Sequence, residues 1–286
     1  MAEVRKEVVV LVGAGGIGRA IARRVATGRK LLLTSLSESE ATGIATRLSS
    51  EGFDAEGMAC DLSQRESIVA VRDRAAELGP ITHVICAGGV SPSQAPIETI
   101  LSVDLYGSSV LLEEFGKVIA EGGSGIVISS QSGHRLPALS LDQNYALAMT
   151  PTEELLQLDF LQPEVIGTTL RAYQYAKRCN VIRVASQACE WGKRGARVNS
   201  VSPGIIMTPL AYDEINGPRG EGYRTMLTTM PAGRAGTVDE IADLCAFLMD
   251  SRASFITGVD VLADGGCTAA YWYGDLQYLQ EDWSKS

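Results

Sequence analysis

Near the start of the chain, a run of apolar residues leads directly into closely spaced glycines, and this feature constrains the fold most. Val8–Val12 (VVVLV) is followed by Gly13, Gly15 and Gly18 in a G-x-G-x-x-G spacing, and then by RAIARRVA. A short, continuously apolar run suits a strand buried on both faces of a sheet. Glycines at this spacing allow a tight turn into a helix whose N-terminus stabilises a pyrophosphate. The pattern predicts a dinucleotide site, with a purely structural turn as the alternative.

Similar apolar runs alternate with longer amphipathic stretches through most of the 286 residues. Repeated strand–helix–strand units with right-handed crossovers predict an α/β fold, a doubly wound parallel sheet of Rossmann type with about seven strands in a single domain. Two predicted helix starts, Ser63–Glu66 and Thr237–Glu240, have the capping-box form. The predicted strands are Val8–Val12, Leu31–Ser35, Ala55–Cys60, His83–Cys86, Gly125–Ser130, Ala196–Val201 and Gly258–Leu262, and the predicted helices include Ile17–Ala26, Arg65–Leu78, Ile97–Ala120 and Glu240–Met249.

Three stretches break this alternation. Residues 134–170 contain no clear strand and are interpreted as an insertion, with a short helix at Pro151–Leu161, before a long helix at Arg171–Trp191. Residues 203–236 are rich in Gly and Pro, which predicts a flexible loop that contributes to substrate binding. The insertion has three open interpretations: a wall of an apolar pocket, a subunit interface or a plain covering helix. The aromatic tail, residues 268–286, either closes a neighbouring subunit's site or packs on its own core.

Composition limits the partners and the compartment. The chain has 34 acidic and 25 basic residues and a formal net charge of −9. This charge gives no general attraction to nucleic acid or to anionic membranes, so neither is an expected partner. The six cysteines form no C-x-x-C pair, the two histidines make a metal site improbable, and VVVLV is too short to span a bilayer. We expect a cytoplasmic protein with reduced thiols and no bound metal.

Tyr173 and Lys177 are the candidate catalytic pair. They lie four residues apart on a predicted helix, so both side chains lie on one face. There the ammonium group can stabilise the phenolate and fit it for acid–base chemistry. Tyr145 is an alternative tyrosine, but the fourth residue after it is Met149, which cannot stabilise a phenolate.

Several further motifs occur in one order with this pair, and together they resemble the short-chain dehydrogenase/reductase family over about residues 7–268. The resemblance implies an NAD(P)-dependent enzyme that interconverts a secondary alcohol and a ketone as a homodimer or homotetramer. The motifs are the glycine loop, Gly125–Ser130, Tyr173-x-x-x-Lys177, Arg197–Asn199, Pro203–Gly204, Gly233–Arg234, Ile256–Gly258 and Asp264–Gly266.

The resemblance also implies roles for individual residues. Ser130 matches the serine that binds the substrate oxygen, Tyr173 the proton donor or acceptor, and Lys177 the residue that lowers the tyrosine pKa and holds the nicotinamide ribose. Asp104 replaces the asparagine that commonly completes this set, and an ordinary polar helix residue is the alternative interpretation. The implied cofactor-binding positions besides Tyr173 and Lys177 are Gly13, Gly15, Gly16, Ile17, Gly18, Ser35, Asp61, Leu62, Ala87, Gly88, Gly89, Pro203, Gly204, Ile206 and Thr208.

The choice of cofactor and substrate is less constrained. After Ser35, at the end of the second strand, no carboxylate occurs until Glu38, which slightly favours NADP over NAD. The insertion and Trp191–Gly192 resemble some bacterial 3α-hydroxysteroid dehydrogenase/carbonyl reductases, which favours a hydrophobic substrate. Two other functions stay open. One is a catalytically silent dinucleotide sensor. The other is a serine hydrolase, although Ser124 lies in no G-x-S-x-G motif.

Overall fold

The computed structural model describes residues 6–217 and 219–280. Within them, one sheet of seven parallel strands has the order β3-β2-β1-β4-β5-β6-β7, as a doubly wound fold requires. The strand order reverses between β1 and β4, and ligands of such sheets bind in the crevice at the carboxyl ends of the strands there. The strands are β1 (Val8–Val12), β2 (Lys30–Ser35), β3 (Asp54–Ala59), β4 (Ile81–Cys86), β5 (Ser124–Ile128), β6 (Arg197–Pro203) and β7 (Asp260–Ala263).

Helices cover both faces of this sheet. The α-helices are α1 (Gly16–Val25), α2 (Glu38–Ser50), α3 (Arg65–Leu78), α4 (Ile97–Ile100), α5 (Ser108–Gly116), α6 (Gln131–His134), α7 (Leu141–Met149), α8 (Pro163–Ile166), α9 (Thr169–Gly192), α10 (Pro209–Asn216), α11 (Gly220–Thr229), α12 (Val238–Met249) and α13 (Cys267–Tyr273). A π-helical turn, Leu101–Gly107, connects α4 and α5, and short 3₁₀ turns lie at Thr152–Gln157, Asp159–Leu161, Ser251–Ala253 and Gln277–Leu279.

The core lies on both sides of β1. Val8, Val10 and Val12 pack with α3, α5 and α9 on one face of the sheet. Val9 and Leu11 pack with α1, α2 and α12 on the other face. Every β1 residue is at most 1 % exposed, as the continuous apolar run predicts.

The segment between His134 and α9 forms a small layer outside the sheet. Leu155 and Leu161 are buried there against Leu101 and Leu105 of the π-helical turn. These contacts support the covering interpretation, since the apolar side chains face the protein's own core. The helix predicted at Pro151–Leu161 is wrong in type: two 3₁₀ turns replace it, because Leu158 between them is extended.

The flexible loop predicted for residues 203–236 is also wrong, because this stretch contains α10 and α11. Pro209 occupies the first turn of α10, where its missing N–H costs no hydrogen bond, and the Thr208 hydroxyl caps that helix. The C-terminal segment packs on its own chain. Tyr271 is buried, and the Trp272 indole donates a hydrogen bond of 3.0 Å to the His134 carbonyl. Trp283 of the tail lies outside the described residues.

Of the two predicted capping boxes, one forms. Thr237 and Glu240 exchange both hydrogen bonds at the start of α12, so that prediction is confirmed. The box at Ser63 is wrong, because the Ser63 hydroxyl donates to the Asp61 carboxylate at 2.7 Å and α3 begins after Gln64. Across the part of the chain described, no helix has both the length and the apolar character needed to cross a bilayer.

Candidate active site

The three glycines after β1 shape a groove at the carboxyl edge of the sheet, each for a different reason. Gly13 has a φ of +89°, and a Cβ on it would lie 2.2 Å from the Gly88 nitrogen, so these two backbones touch. A Cβ on Gly18 would lie 2.6 Å from the Gly13 carbonyl, so α1 packs closely on β1. Gly15 caps α1 and faces open space, and the first turn of α1 carries no acidic side chain. The free backbone amide groups of this first turn can therefore bind an anion.

One end of the groove is lined by the carboxyl ends of β1 to β4. The Ser35 hydroxyl donates a hydrogen bond to the Glu40 carboxylate, and both side chains line this end. The Asp61 carboxylate also lies here, but it accepts hydrogen bonds from the backbone and hydroxyl of Ser63. The Glu38 carboxylate accepts from the Ala59 amide, at the end of β3. The other predicted residues at this end are Gly13, Gly15, Leu62, Ala87, Gly88 and Gly89.

The other end of the groove brings together Ser130, Tyr173 and Lys177. Tyr173 and Lys177 lie one turn apart on α9, and the Lys177 Nζ is 5.3 Å from the Tyr173 ring centroid. The Ser129 hydroxyl donates to the Lys177 carbonyl at 2.7 Å, which ties the end of β5 to α9. Ile17, Ala87, Gly88, Gly89, Pro203, Gly204, Ile206 and Thr208 line the same end. Gly16 packs against Thr208, since an added Cβ would lie 3.3 Å from the Thr208 methyl carbon.

The electrostatics of this end set the protonation of its side chains. Burial raises the pKa of Tyr173, while the Lys177 charge and a hydrogen bond with Ser130 act in the opposite direction. Burial lowers the pKa of Lys177, but the neighbouring Asp104 carboxylate raises it, and the net shift is upward. Lys177 is therefore a cation and Tyr173 a neutral phenol at neutral pH.

Asp104 lies in the π-helical turn before α5 and is fully buried. Its Oδ1 accepts from the Val90 amide at 3.0 Å and lies 3.9 Å from the Lys177 Nζ. Oδ2 has no partner among the described residues. Burial raises the Asp104 pKa to about 6, against the lowering effect of Lys177. These contacts replace the interpretation as an ordinary polar helix residue, since the carboxylate faces Lys177.

Comparison with known proteins agrees with this geometry. The family described as "short chain dehydrogenase" matches residues 6–146, and the one described as "Enoyl-(Acyl carrier protein) reductase" matches residues 138–268. A short-chain dehydrogenase/reductase, bsc3, of Alternaria brassicicola is 37% identical over 96% of this chain and 98% of its own. The chain belongs to the short-chain dehydrogenase/reductase family.

Two further relatives show the range within this family. A D-threitol dehydrogenase of Mycolicibacterium smegmatis is 30% identical over 92% of this chain and 93% of its own. The crystal structure of a 3-alpha-hydroxysteroid dehydrogenase from Pseudomonas sp. B-0831, complexed with NADH, superposes with a TM-score of 0.72 at 26% identity. That superposition covers 94% of this chain and 99% of the other.

Sequence reasoning missed two carboxylates of this short-chain dehydrogenase/reductase. Glu40 lies three residues after Ser37, in the capping-box form that predicts a helix start, and this signal was available. Glu214 lies on α10, in the stretch predicted to be a flexible loop, and it lines the same end of the groove as Tyr173. Its position depends on how α10 folds over the sheet edge, which no local pattern indicates.

Replacing Asp104 tests its electrostatic role. Because the Asp104 charge raises the pKa of Tyr173, Asp104→Asn should move the acidic limb of the kcat/KM profile for alcohol oxidation to lower pH. The wild-type profile should also show an inflection near pH 6, where Asp104 protonates, and the variant should lack it. Asp142→Asn, at an exposed acid of α7, is the charge-matched control. Superimposable wild-type and Asp104→Asn profiles would contradict this role.

Proposed function

We propose that this protein is an NAD-dependent dehydrogenase/reductase that interconverts a small secondary alcohol and its ketone. The observation that carries the proposal is the meeting of Ser130, Tyr173 and Lys177 in the groove that begins at the glycine loop. A serine hydrolase is not supported, because Ser124 is buried in β5 at 1 % exposure. A silent sensor is not supported by any feature of the site, since the proton-transfer side chains are all present.

The groove fits an extended dinucleotide. Its two ends share Ala87, Gly88, Gly89 and Val90, so one continuous surface runs from Ser35 to Tyr173. The open face at Gly15 and the free amides of α1 lie beside this surface, where a pyrophosphate is stabilised. A relative of this fold supports the proposal, because the Pseudomonas structure is complexed with NADH.

The side chains have separate tasks in the proposed reaction. Bound NAD supplies the acceptor or donor of the hydride. Ser130 donates a hydrogen bond to the substrate oxygen and orients it. In ketone reduction, the neutral phenol of Tyr173 gives its proton to that oxygen as the carbon gains the hydride. In alcohol oxidation, the phenolate takes the hydroxyl proton, and the Lys177 ammonium stabilises the phenolate in both directions.

Glu40 reverses the cofactor preference that the strand sequence suggested. Hydrogen-bonded to Ser35, its carboxylate lies at the end of β2, where an adenosine ribose binds in this fold. A carboxylate accepts a hydrogen bond from a 2′-hydroxyl and repels a 2′-phosphate. We therefore propose NAD rather than NADP as the cofactor.

Removing the Glu40 charge should change cofactor selectivity. In Glu40→Gln, the ratio of the Kd values for NADPH and NADH should move toward NADPH by roughly tenfold or more, because a charge-assisted hydrogen bond and a repulsion are both lost. Fluorescence titration of purified protein with each nucleotide measures both constants. Glu66→Gln, at an exposed glutamate in the first turn of α3, is the control. An unchanged ratio would show that Glu40 does not select the nucleotide.

The central test of the proposed chemistry is Tyr173→Phe. This variant should keep NADH binding and lose about 100- to 10,000-fold in kcat, since it removes the proton donor and little volume. Steady-state reduction of a ketone panel, followed by NADH absorbance, measures the loss. Tyr145→Phe, at an exposed tyrosine of α7, should retain full activity. Normal turnover in Tyr173→Phe would contradict the assignment of Tyr173 as the proton donor.

A further inference from the structure

A buried carboxylate with a free oxygen faces the cleft that holds Tyr173. Glu214 is 4 % exposed and lines this cleft from α10. Its Oε2 accepts a hydrogen bond of 2.8 Å from the Ser93 hydroxyl. Its Oε1 has no hydrogen-bond partner in the part of the chain that the structure describes. The proposed proton transfer makes no use of this carboxylate.

Two donor groups that also lack a hydrogen-bond partner line the same cleft. The Ser91 hydroxyl is buried, and neither it nor the Nε of Arg135 has a hydrogen-bond partner within residues 6–217 and 219–280. Arg135 is held by other contacts: its Nη2 donates to the Ser132 hydroxyl at 3.2 Å, and its guanidinium lies over the Tyr271 ring. Gln131 also lines the cleft, and its Oε1 has no partner among the described residues. The cleft therefore presents two acceptors without partners, Glu214 Oε1 and Gln131 Oε1, and two donors without partners.

Buried polar atoms without partners cost stability, and in binding sites their partners are commonly ligand groups. A neutral ligand with hydroxyl groups suits this set, because each hydroxyl both donates and accepts. The acid at Glu214 disfavours an anionic ligand, and the guanidinium of Arg135 disfavours a cationic one.

The size of the cleft points to a small ligand. Its volume is about 200 Å³, below the roughly 300 to 1,000 Å³ of pockets that hold drug-sized molecules. Leu155 and Leu161 of the insertion do not line this cleft, since both are buried in a separate core cluster. These features do not suit the bulky hydrophobic substrate that the sequence favoured.

We propose that Glu214 Oε1 accepts a hydrogen bond from a second hydroxyl group of the substrate, so that the enzyme acts on small polyhydroxylated alcohols and ketones. This inference rests on the proposed function, since it assumes that the substrate carbonyl lies at Tyr173. The Glu214 charge raises the pKa of both Tyr173 and Tyr223, which places it in the electrostatic field of the proposed proton donor.

The test compares two four-carbon ketones that differ in hydroxyl groups, erythrulose and butanone, as substrates with NADH. Wild-type kcat/KM should favour erythrulose by roughly 100-fold or more, because a site built for hydroxyls rejects an analogue that lacks them. Glu214→Ala should lower kcat/KM for erythrulose by about 10- to 100-fold more than kcat/KM for butanone, because the loss of the Glu214 charge acts on Tyr173 with both ketones. Glu214→Gln keeps an acceptor oxygen and should retain part of the preference.

Two controls separate recognition from structure. Ser93→Ala removes the hydrogen bond to Oε2 but keeps the free Oε1, so the preference for erythrulose should persist. Glu221→Gln removes an exposed charge on α11 and should change neither substrate. An equal loss with both ketones in Glu214→Ala, or a wild-type enzyme without preference, would overturn the inference.

Binding provides a readout that does not need turnover. Calorimetric titration of erythritol into the complex of wild-type protein with NADH should detect binding, and Glu214→Ala should weaken it by about tenfold or more. Binding that depends on Glu214 without reduction of any ketone would support the subsite and contradict the proposed function. Reduction of ketones with no effect of Glu214 on binding would support the proposed function and contradict the subsite.

Discussion

The burial of both faces of β1 is the constraint on which the rest of the structure depends. With every β1 residue at most 1 % exposed, the strand must lie at the centre of a sheet with helices on both sides. Its neighbours β2 and β4 lie on opposite sides, so the strand order reverses there. The loops after β1 and β4 then meet at Gly13 and Gly88, and their contact forms the floor of the groove. The cofactor groove is thus a consequence of strand order.

The same arrangement positions the side chains of the proposed reaction. β5 ends beside the groove at Ile128, and Ser130 follows it as the N-cap of α6. α9 crosses that end and presents Tyr173 and Lys177. Burying Lys177 is costly unless an opposite charge accompanies it, and Asp104 provides that charge at 3.9 Å. Asp104 is itself held by the Val90 amide, next to the glycines after β4. Lys177 and the groove floor therefore share their supporting contacts.

Much of this architecture follows from local sequence patterns. Continuous apolar runs predicted β1, and helical periodicity predicted α3 and most of α9, because burial at these elements leaves a regular spacing. The helices α10 and α11 were missed because their Gly and Pro residues lie at helix ends, where they resemble loop residues. The Ser63 capping box failed because Asp61 competes for the serine hydroxyl. The π-helical turn leaves no distinct periodicity over its seven residues.

The residues of the site also differ in how far the sequence predicts them. Tyr173 and Lys177 were predictable because one helix sets their spacing, whereas Glu40 and Glu214 depend on side-chain directions and on packing between distant segments. Cytoplasmic location and a dimeric or tetrameric assembly stay predictions from the sequence.

The most direct measurement of the central claim follows the hydride itself. The protein would be incubated with NADH deuterated at the transferable position of the nicotinamide and with a panel of small ketones, and the products analysed by mass spectrometry. The account predicts an alcohol that carries one deuterium on the carbon that was the carbonyl. Alcohol without deuterium, or no alcohol from any ketone despite bound NADH, would contradict it.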